Sequence, residues 1–146
     1  MLPRSCELSD ALRAIARGIL DAGAAPPANW NAQRRYFTSI ASDLERCRDA
    51  EEQRVMAMDL YLRTMEIAVR SHGRLLDGQP RYLVRALRKL DPAFFERART
   101  ALEELFRDGA AAPLVAVARE VLDSIGGPLA SNYRQDFPPT FRLPLP

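Results

Sequence analysis

Apolar residues recur every three or four positions along most of this chain, a spacing that predicts amphipathic helices. The first predicted helix spans about residues 7–22 and ends before Gly23, a residue suited to a helix C-terminus. A second helix begins near Trp30, the only tryptophan, which we expect to anchor the core. The apolar stripes comprise Leu8, Leu12, Ile15 and Ile19 in the first helix and Tyr36, Phe37, Ile40 and Leu44 in the second.

The third predicted helix is the longest and reaches about Ser71. Asp49 followed by Glu52 has the spacing of a capping box, which marks its start. Apolar residues also lie outside its main stripe, as is typical of a helix with neighbours on several sides, so we expect it at the centre of a bundle. The main stripe comprises Val55, Met58, Leu62, Met65 and Val69.

Prolines and glycines delimit three further helices. The fourth is predicted over about residues 80–90, and the fifth starts at an Asp91-Pro92 cap and ends at Gly109. The sixth is predicted to open at Pro113 and to stop at Gly126. Because alternating strand patterns are absent from the sequence, the expected fold class is all-α, with about five to six helices. We expect residues 1–126 to form the bundle and residues 127–146, which hold five prolines, to form an extended tail packed on it.

Length and charge narrow the class of protein. A chain of 146 residues is long enough for one domain with a real core. Its net charge of +2 argues against the broad positive field that nucleic-acid binding uses. Cys6 and Cys47 lack a CxxC spacing, so reduced thiols are expected. The sequence carries no signal-peptide pattern and no membrane-length apolar run, which together favour the cytoplasm.

Residues that could support catalysis are sparse. His72 is the only histidine and lies at the predicted end of the third helix, where we expect a helix C-terminal interaction rather than a metal role. Neither a metal-ligand spacing nor a phosphate-binding glycine motif is present, so the sequence predicts no metal, no cofactor and no catalytic residue. Asp59 and Glu66 lie seven residues apart on one helical face. Buried, they could orient a base or hold a cation; exposed, they would form salt bridges, and we favour the second reading.

The densest positive charge lies in the fourth predicted helix. Arg81, Arg85 and Arg88 are spaced four and three residues apart, so they share one face beside Lys89, the only lysine of the chain. Guanidinium groups suit bidentate contacts with phosphate or carboxylate, which makes this face the best candidate for an anion site. The alternative is a solvated face whose arginines pair with neighbouring acids.

Several blocks of the C-terminal half resemble one known family. They are GQPRYLVRAL at 78–87, LDPA at 90–93, AREVL at 118–122, GGPL at 126–129 and YR at 133–134. Their order and spacing resemble the helical C-terminal region of bacterial minimal nucleotidyltransferases, which is similar to the helical half of aminoglycoside nucleotidyltransferases. The resemblance covers roughly residues 34–142. The family has a Gly-Lys pair before the short helix, whereas this chain has Gly78-Gln79 followed by Pro80-Arg81.

The resemblance implies a helical accessory domain. In that family an α/β domain with a Gly-Ser motif and paired aspartates performs the transfer, and this sequence lacks that motif. The expected function is therefore substrate recognition beside a catalytic domain in cis or in trans, with an anionic or aminoglycoside-like ligand. Arg81, Arg85, Arg88 and Arg134 are the candidate binding residues. The alternative is a structural or protein-interaction module that forms a homodimer, suggested by the apolar residues of the tail, Phe137, Phe141 and Leu143.

Overall fold

The computed structural model describes residues 7–22, 30–73 and 80–129. Within these ranges the regular structure consists of six helices, and no residue is in a strand, which confirms the all-α prediction. The predicted tail lies outside the described residues from position 130 onward. The helices are α1 (Glu7–Ala22), α2 (Asn31–Arg46), α3 (Ala50–Ser71), α4 (Pro80–Leu90), α5 (Pro92–Asp108) and α6 (Ala111–Ser124).

Two aspartates hold the helix starts that the sequence indicated. The Asp49 carboxylate accepts hydrogen bonds from the backbone N–H groups of Glu51 and Glu52, each at 2.9 Å. Asp91 immediately precedes the proline that begins α5, and its carboxylate accepts a hydrogen bond from the N–H of Phe94 at 2.9 Å. Both caps satisfy amide donors that have no acceptor inside the helix.

Glycines end α5 and α6 as predicted. Gly109 adopts a left-handed φ of 71°, and its N–H bonds to the carbonyl of Leu105. After α6 the N–H of Gly127 bonds to Leu122 and that of Gly126 bonds to Asp123, the pairing of a Schellman motif. The start of α6 differs from the prediction, since the helix begins at Ala111, ahead of Pro113. Proline is tolerated there because first-turn amides have no intrahelical acceptor.

Helix α3 is the centre of the bundle, as expected. It contacts α2, α4, α5 and α6, while further contacts join α2 to α6, α6 to α5 and α5 to α4 around it. Trp30, half-buried, packs against this core from the start of α2. The largest fully buried apolar side chains come from five helices and are Phe37, Leu44, Leu60, Met65, Val69, Leu87, Leu105, Leu114 and Val115.

The apolar stripe that stands out in the sequence of α3 is buried only in its C-terminal part, where Met65 and Val69 are fully removed from water. Val55 and Met58, at the start of that stripe, are 71% and 40% exposed. The face turned toward the surrounding helices also carries Leu60, Tyr61 and Thr64, which lie outside that stripe and are buried. The positions of the neighbouring helices therefore decide which apolar residues of α3 are removed from water.

Helix α1 forms as predicted, but its apolar stripe stays in solvent. It contacts none of the other described helices, and its side chains from Asp10 to Ala22 are exposed. Four large apolar side chains on it are between 56% and 67% exposed: Leu12, Ile15, Ile19 and Leu20. The division into a bundle at 1–126 and a tail at 127–146 stays a prediction. No helix in the described part of the chain has the length and apolar character needed to cross a membrane.

Candidate functional site

Helix α4 separates its apolar and basic residues onto opposite faces. Leu87 is fully buried, and Leu83 and Val84 pack partly against the core. Arg81 and Arg85 lie on the exposed side, in a helix that holds no acidic residue. Burial of the apolar face on α3 and α5 therefore turns the positive charge toward solvent. We call the exposed side, formed by Arg81, Arg85, Arg88 and Lys89, the basic face.

Aromatic rings support three of these arginines. The guanidinium carbon of Arg81 lies 4.8 Å from the centroid of the Tyr82 ring, and that of Arg85 lies 5.8 Å from the same centroid. Arg81 also donates a hydrogen bond from Nη2 to the Tyr82 hydroxyl at 3.1 Å. Stacking restrains the long side chains while leaving N–H groups at the guanidinium edge for an oxygen ligand.

Arg88 connects the basic face to the next helix. Its guanidinium carbon lies 4.9 Å from the centroid of Phe95, a buried residue of α5. The guanidinium of Arg88 therefore lies over a ring of the core, while the residue as a whole is exposed. The sequence predicted that Arg81, Arg85 and Arg88 share a face, and the structure places all three on the exposed side of α4. Arg134, the fourth candidate, lies outside the described residues.

The basic face is free of ion pairs to any carboxylate that the structure describes. The alternative interpretation, a solvated face whose arginines pair with neighbouring acids, therefore has no such pair among the described residues. Elsewhere on the surface such pairs are frequent, for instance Arg97 with Glu120 at 2.8 Å. The other arginines that pair with acids are Arg13, Arg46, Arg63, Arg70, Arg99, Arg107 and Arg119. The four cations of the basic face thus keep their charge available for an external anion.

Asp59 and Glu66 form ion pairs, the reading that the sequence favoured over buried catalytic acids. Arg63 lies between them, with Nε 3.4 Å from Asp59 Oδ1 and Nη1 3.9 Å from Glu66 Oε2. Arg70 lies 3.6 Å from the other oxygen of Glu66. Asp59 also accepts a hydrogen bond from the Tyr36 hydroxyl, which together with partial burial raises the pKa of that phenol. Asp59 and Glu66 are therefore part of a row of alternating acidic and basic side chains along α3.

The structure brings together one polar cluster that sequence reasoning missed. Ser71, His72, Asp91, Glu120 and Ser124 surround a cleft of about 160 Å³ where the C-terminal ends of α3, α4 and α6 meet. These five residues are spread over more than fifty positions of the sequence, so no local sequence pattern predicts the cluster.

The groups around this cleft are occupied by local hydrogen bonds. The His72 Nδ1 lies 2.8 Å from the carbonyl of Ala68, which confirms the predicted helix C-terminal contact. The hydroxyl of Ser124 donates to the carbonyl of Val121, and Asp91 caps α5. Among the residues described, no three histidine, cysteine or acidic side chains converge as metal ligands. The cleft is best explained as a junction of helix ends.

The chemistry that this surface offers is electrostatic recognition. The basic face presents planar cations with unused N–H donors, suited to the oxygens of a phosphate or carboxylate group. Comparison with known proteins adds no family assignment, since no family model, no curated protein and no solved structure matches this chain.

Proposed function

We propose that this protein is a helical recognition domain that binds an anionic group through the basic face of α4. The observation that carries the proposal is the set of four cations on one acid-free helix, without an ion pair to a described carboxylate. Desolvating those cations against a phosphate replaces water with charge-assisted hydrogen bonds, which are among the stronger polar contacts in proteins.

The resemblance in the C-terminal half extends this proposal to a specific role. The domain would act as the non-catalytic accessory part of a nucleotidyltransferase-type protein, with the anionic group belonging to a nucleotide or another phosphorylated ligand. A separate α/β domain would supply the metal-holding aspartates. This role predicts that nucleotide transfer requires both parts and that this chain by itself transfers nothing.

Titration with ATP, with and without Mg²⁺, tests the anion site directly. Binding can be followed by calorimetry and by the fluorescence of Trp30. Replacing Arg81 or Arg85 by alanine should weaken binding roughly tenfold or more, since each loses a charge-assisted contact. Arg107→Ala is the matched control, because Arg107 is exposed and already paired with Asp108. If Arg81→Ala, Arg85→Ala and Arg107→Ala all bound ATP with equal affinity, the basic face would not be the anion site.

The exposed apolar stripe of α1 favours a second candidate function, in which the protein is an interaction module that forms a homodimer. Its exposed stripe of Leu12, Ile15 and Ile19 has the spacing of a helix that packs against another helix. This helix carries three acidic residues and two arginines, so its charge does not favour binding to an anionic membrane surface. A second copy of the chain is the partner that we assign to this stripe. Light scattering should then show a dimer that Ile15→Asp converts to a monomer, and a wild-type monomer at all concentrations would exclude it.

A further inference from the structure

The apolar stripe of α3 extends beyond the part that the bundle covers. Met65 and Val69, toward its C-terminal end, are buried. Earlier on the same face Val55 is 71% exposed, Met58 is 40% exposed and Leu62 is half-buried. We call the part formed by Val55, Met58 and Leu62 the outer stripe. It continues an apolar surface that is already used for packing, and the described helices leave most of it in solvent.

Helix α1 carries an uncovered apolar stripe with the same spacing. Leu12, Ile15 and Ile19 follow one another at intervals of three and four residues, as do the three residues of the outer stripe. The positions beside the α1 stripe hold Ala11 and Ala16, whose small side chains allow a second helix to approach closely. All five charged residues of α1 lie toward the other side of the helix. The two stripes therefore match in spacing and in apolar character.

The area that such a contact buries decides between two dimer arrangements. With 16 residues α1 is about 24 Å long and about 10 Å wide, so one contact covers about 240 Å² on each of two helices. A dimer held by a single contact, such as a pair of α1 helices, would bury about 500 Å², roughly half of the 1,000 Å² that a stable interface needs. Two reciprocal contacts, α1 of each chain on α3 of the other, reach about 1,000 Å².

We propose that α1 of each chain packs on the outer stripe of α3 in a second copy, forming a symmetric dimer with two identical contacts. This inference rests on the homodimer proposed above and adds the surface that receives α1. In the structure α1 contacts none of the described helices of its own chain, so its stripe is available to the second copy. Ile15 and Met58 are each the middle residue of a stripe, so they meet whether the two helices run parallel or antiparallel.

Val55→Asp tests the outer stripe without disturbing the core, because Val55 is 71% exposed. Measured by light scattering of the full chain, the dimer should weaken roughly a hundredfold, since each of two contacts desolvates a carboxylate at a cost of about tenfold. Thr100→Asp, exposed on α5, is the control and should leave the dimer intact. A Val55→Asp chain that dimerises as tightly as wild type, while Ile15→Asp is monomeric, would overturn the placement on α3 and leave the homodimer standing. A monomeric wild-type chain would exclude both.

Cysteine pairing identifies the chain to which each helix belongs. In a background of Cys6→Ser and Cys47→Ser, chains with Ile15→Cys are mixed with tagged chains that carry Met58→Cys, and mild oxidation should join the two kinds of chain. Thr100→Cys in place of Met58→Cys is the matched control and should give no such link. Disulfides that form only between two Ile15→Cys chains would contradict the reciprocal contact. So would a chain with both Ile15→Cys and Met58→Cys that forms a disulfide only within itself.

Discussion

The guanidinium of Arg34 in α2 lies directly over Gly126, two residues beyond the end of α6. Its Nη2 donates to the Gly126 carbonyl at 2.6 Å, and its Nε donates to the Gly127 carbonyl at 2.7 Å. Helix C-termini leave carbonyls without intrahelical donors, and a cation is favourable at that end of the helix dipole. One arginine thus joins the beginning of α2 to the end of α6 across more than ninety residues of sequence.

Gly126→Ala should destabilise the protein by about 1–3 kcal/mol. Gly126 has a φ of 110°, which side chains rarely adopt, and an added Cβ would lie 3.2 Å from Cζ of Arg34. Urea unfolding of the variant measures the cost. Gly18→Ala is the control, because Gly18 has open space around it and lies within α1. A Gly126→Ala variant as stable as the Gly18→Ala control would contradict the close approach of Arg34.

Leu87→Ala should cost about 2–5 kcal/mol, the range for deleting a buried leucine side chain. Leu87 is the only side chain among the described residues of α4 that is fully removed from water, so it attaches the basic face to the core. Thermal unfolding compared with Leu83→Ala, a partly buried position on the same helix, gives the measurement. If the two variants lost equal stability, Leu87 would not be the main anchor of α4.

Amide hydrogen exchange should separate α1 from the rest of the protein. Most helical stability in proteins comes from tertiary packing, and α1, with 16 residues, makes no contact with the other described helices. Its amides should therefore exchange by local opening, while those near Leu60 in α3 should require global unfolding. Equal protection of α1 and α3 in dilute protein would be inconsistent with this arrangement. Protection of α1 that rises with protein concentration would support pairing with a second copy.

Stability should decline as the pH rises above the ordinary tyrosine pKa of 10.0. Burial raises the pKa of Tyr61, and the hydrogen bond to Asp59 raises that of Tyr36, so both phenols stay protonated in the folded protein when unfolded tyrosines ionise. The stabilisation that these two phenols contribute is complete below the pKa of tyrosine in the unfolded chain. It is lost as the pH rises through their higher pKa in the folded protein. Urea unfolding from about pH 8 to about pH 11 measures the decline. Tyr61→Phe should flatten it, and an unchanged slope would show that Tyr61 is not involved.

The candidate sites differ in how far they can be predicted from the sequence, because one lies on a single helix and the other is formed by two. The spacing of Arg81, Arg85 and Arg88 is readable from the sequence because one helix carries all three. Whether acids neutralise them depends on which helices lie alongside, and only the structure shows that these three arginines form no ion pair with a described carboxylate. The cleft between α2 and α3 that Gln33 and Arg63 line was not predicted, because it forms only where these two helices come together.

The sequence by itself determined the helices and most of their ends, because caps, glycine stops and apolar periodicity act within a few residues. Asp49, Asp91 and Gly109 each act at the position that local chemistry predicts. The tertiary structure alone decided which apolar surface is buried. Val55 is as apolar as Leu60, yet only Leu60 faces other helices and is removed from water. Burial depends on neighbours that are distant in sequence, and periodicity carries no information about where those neighbours lie.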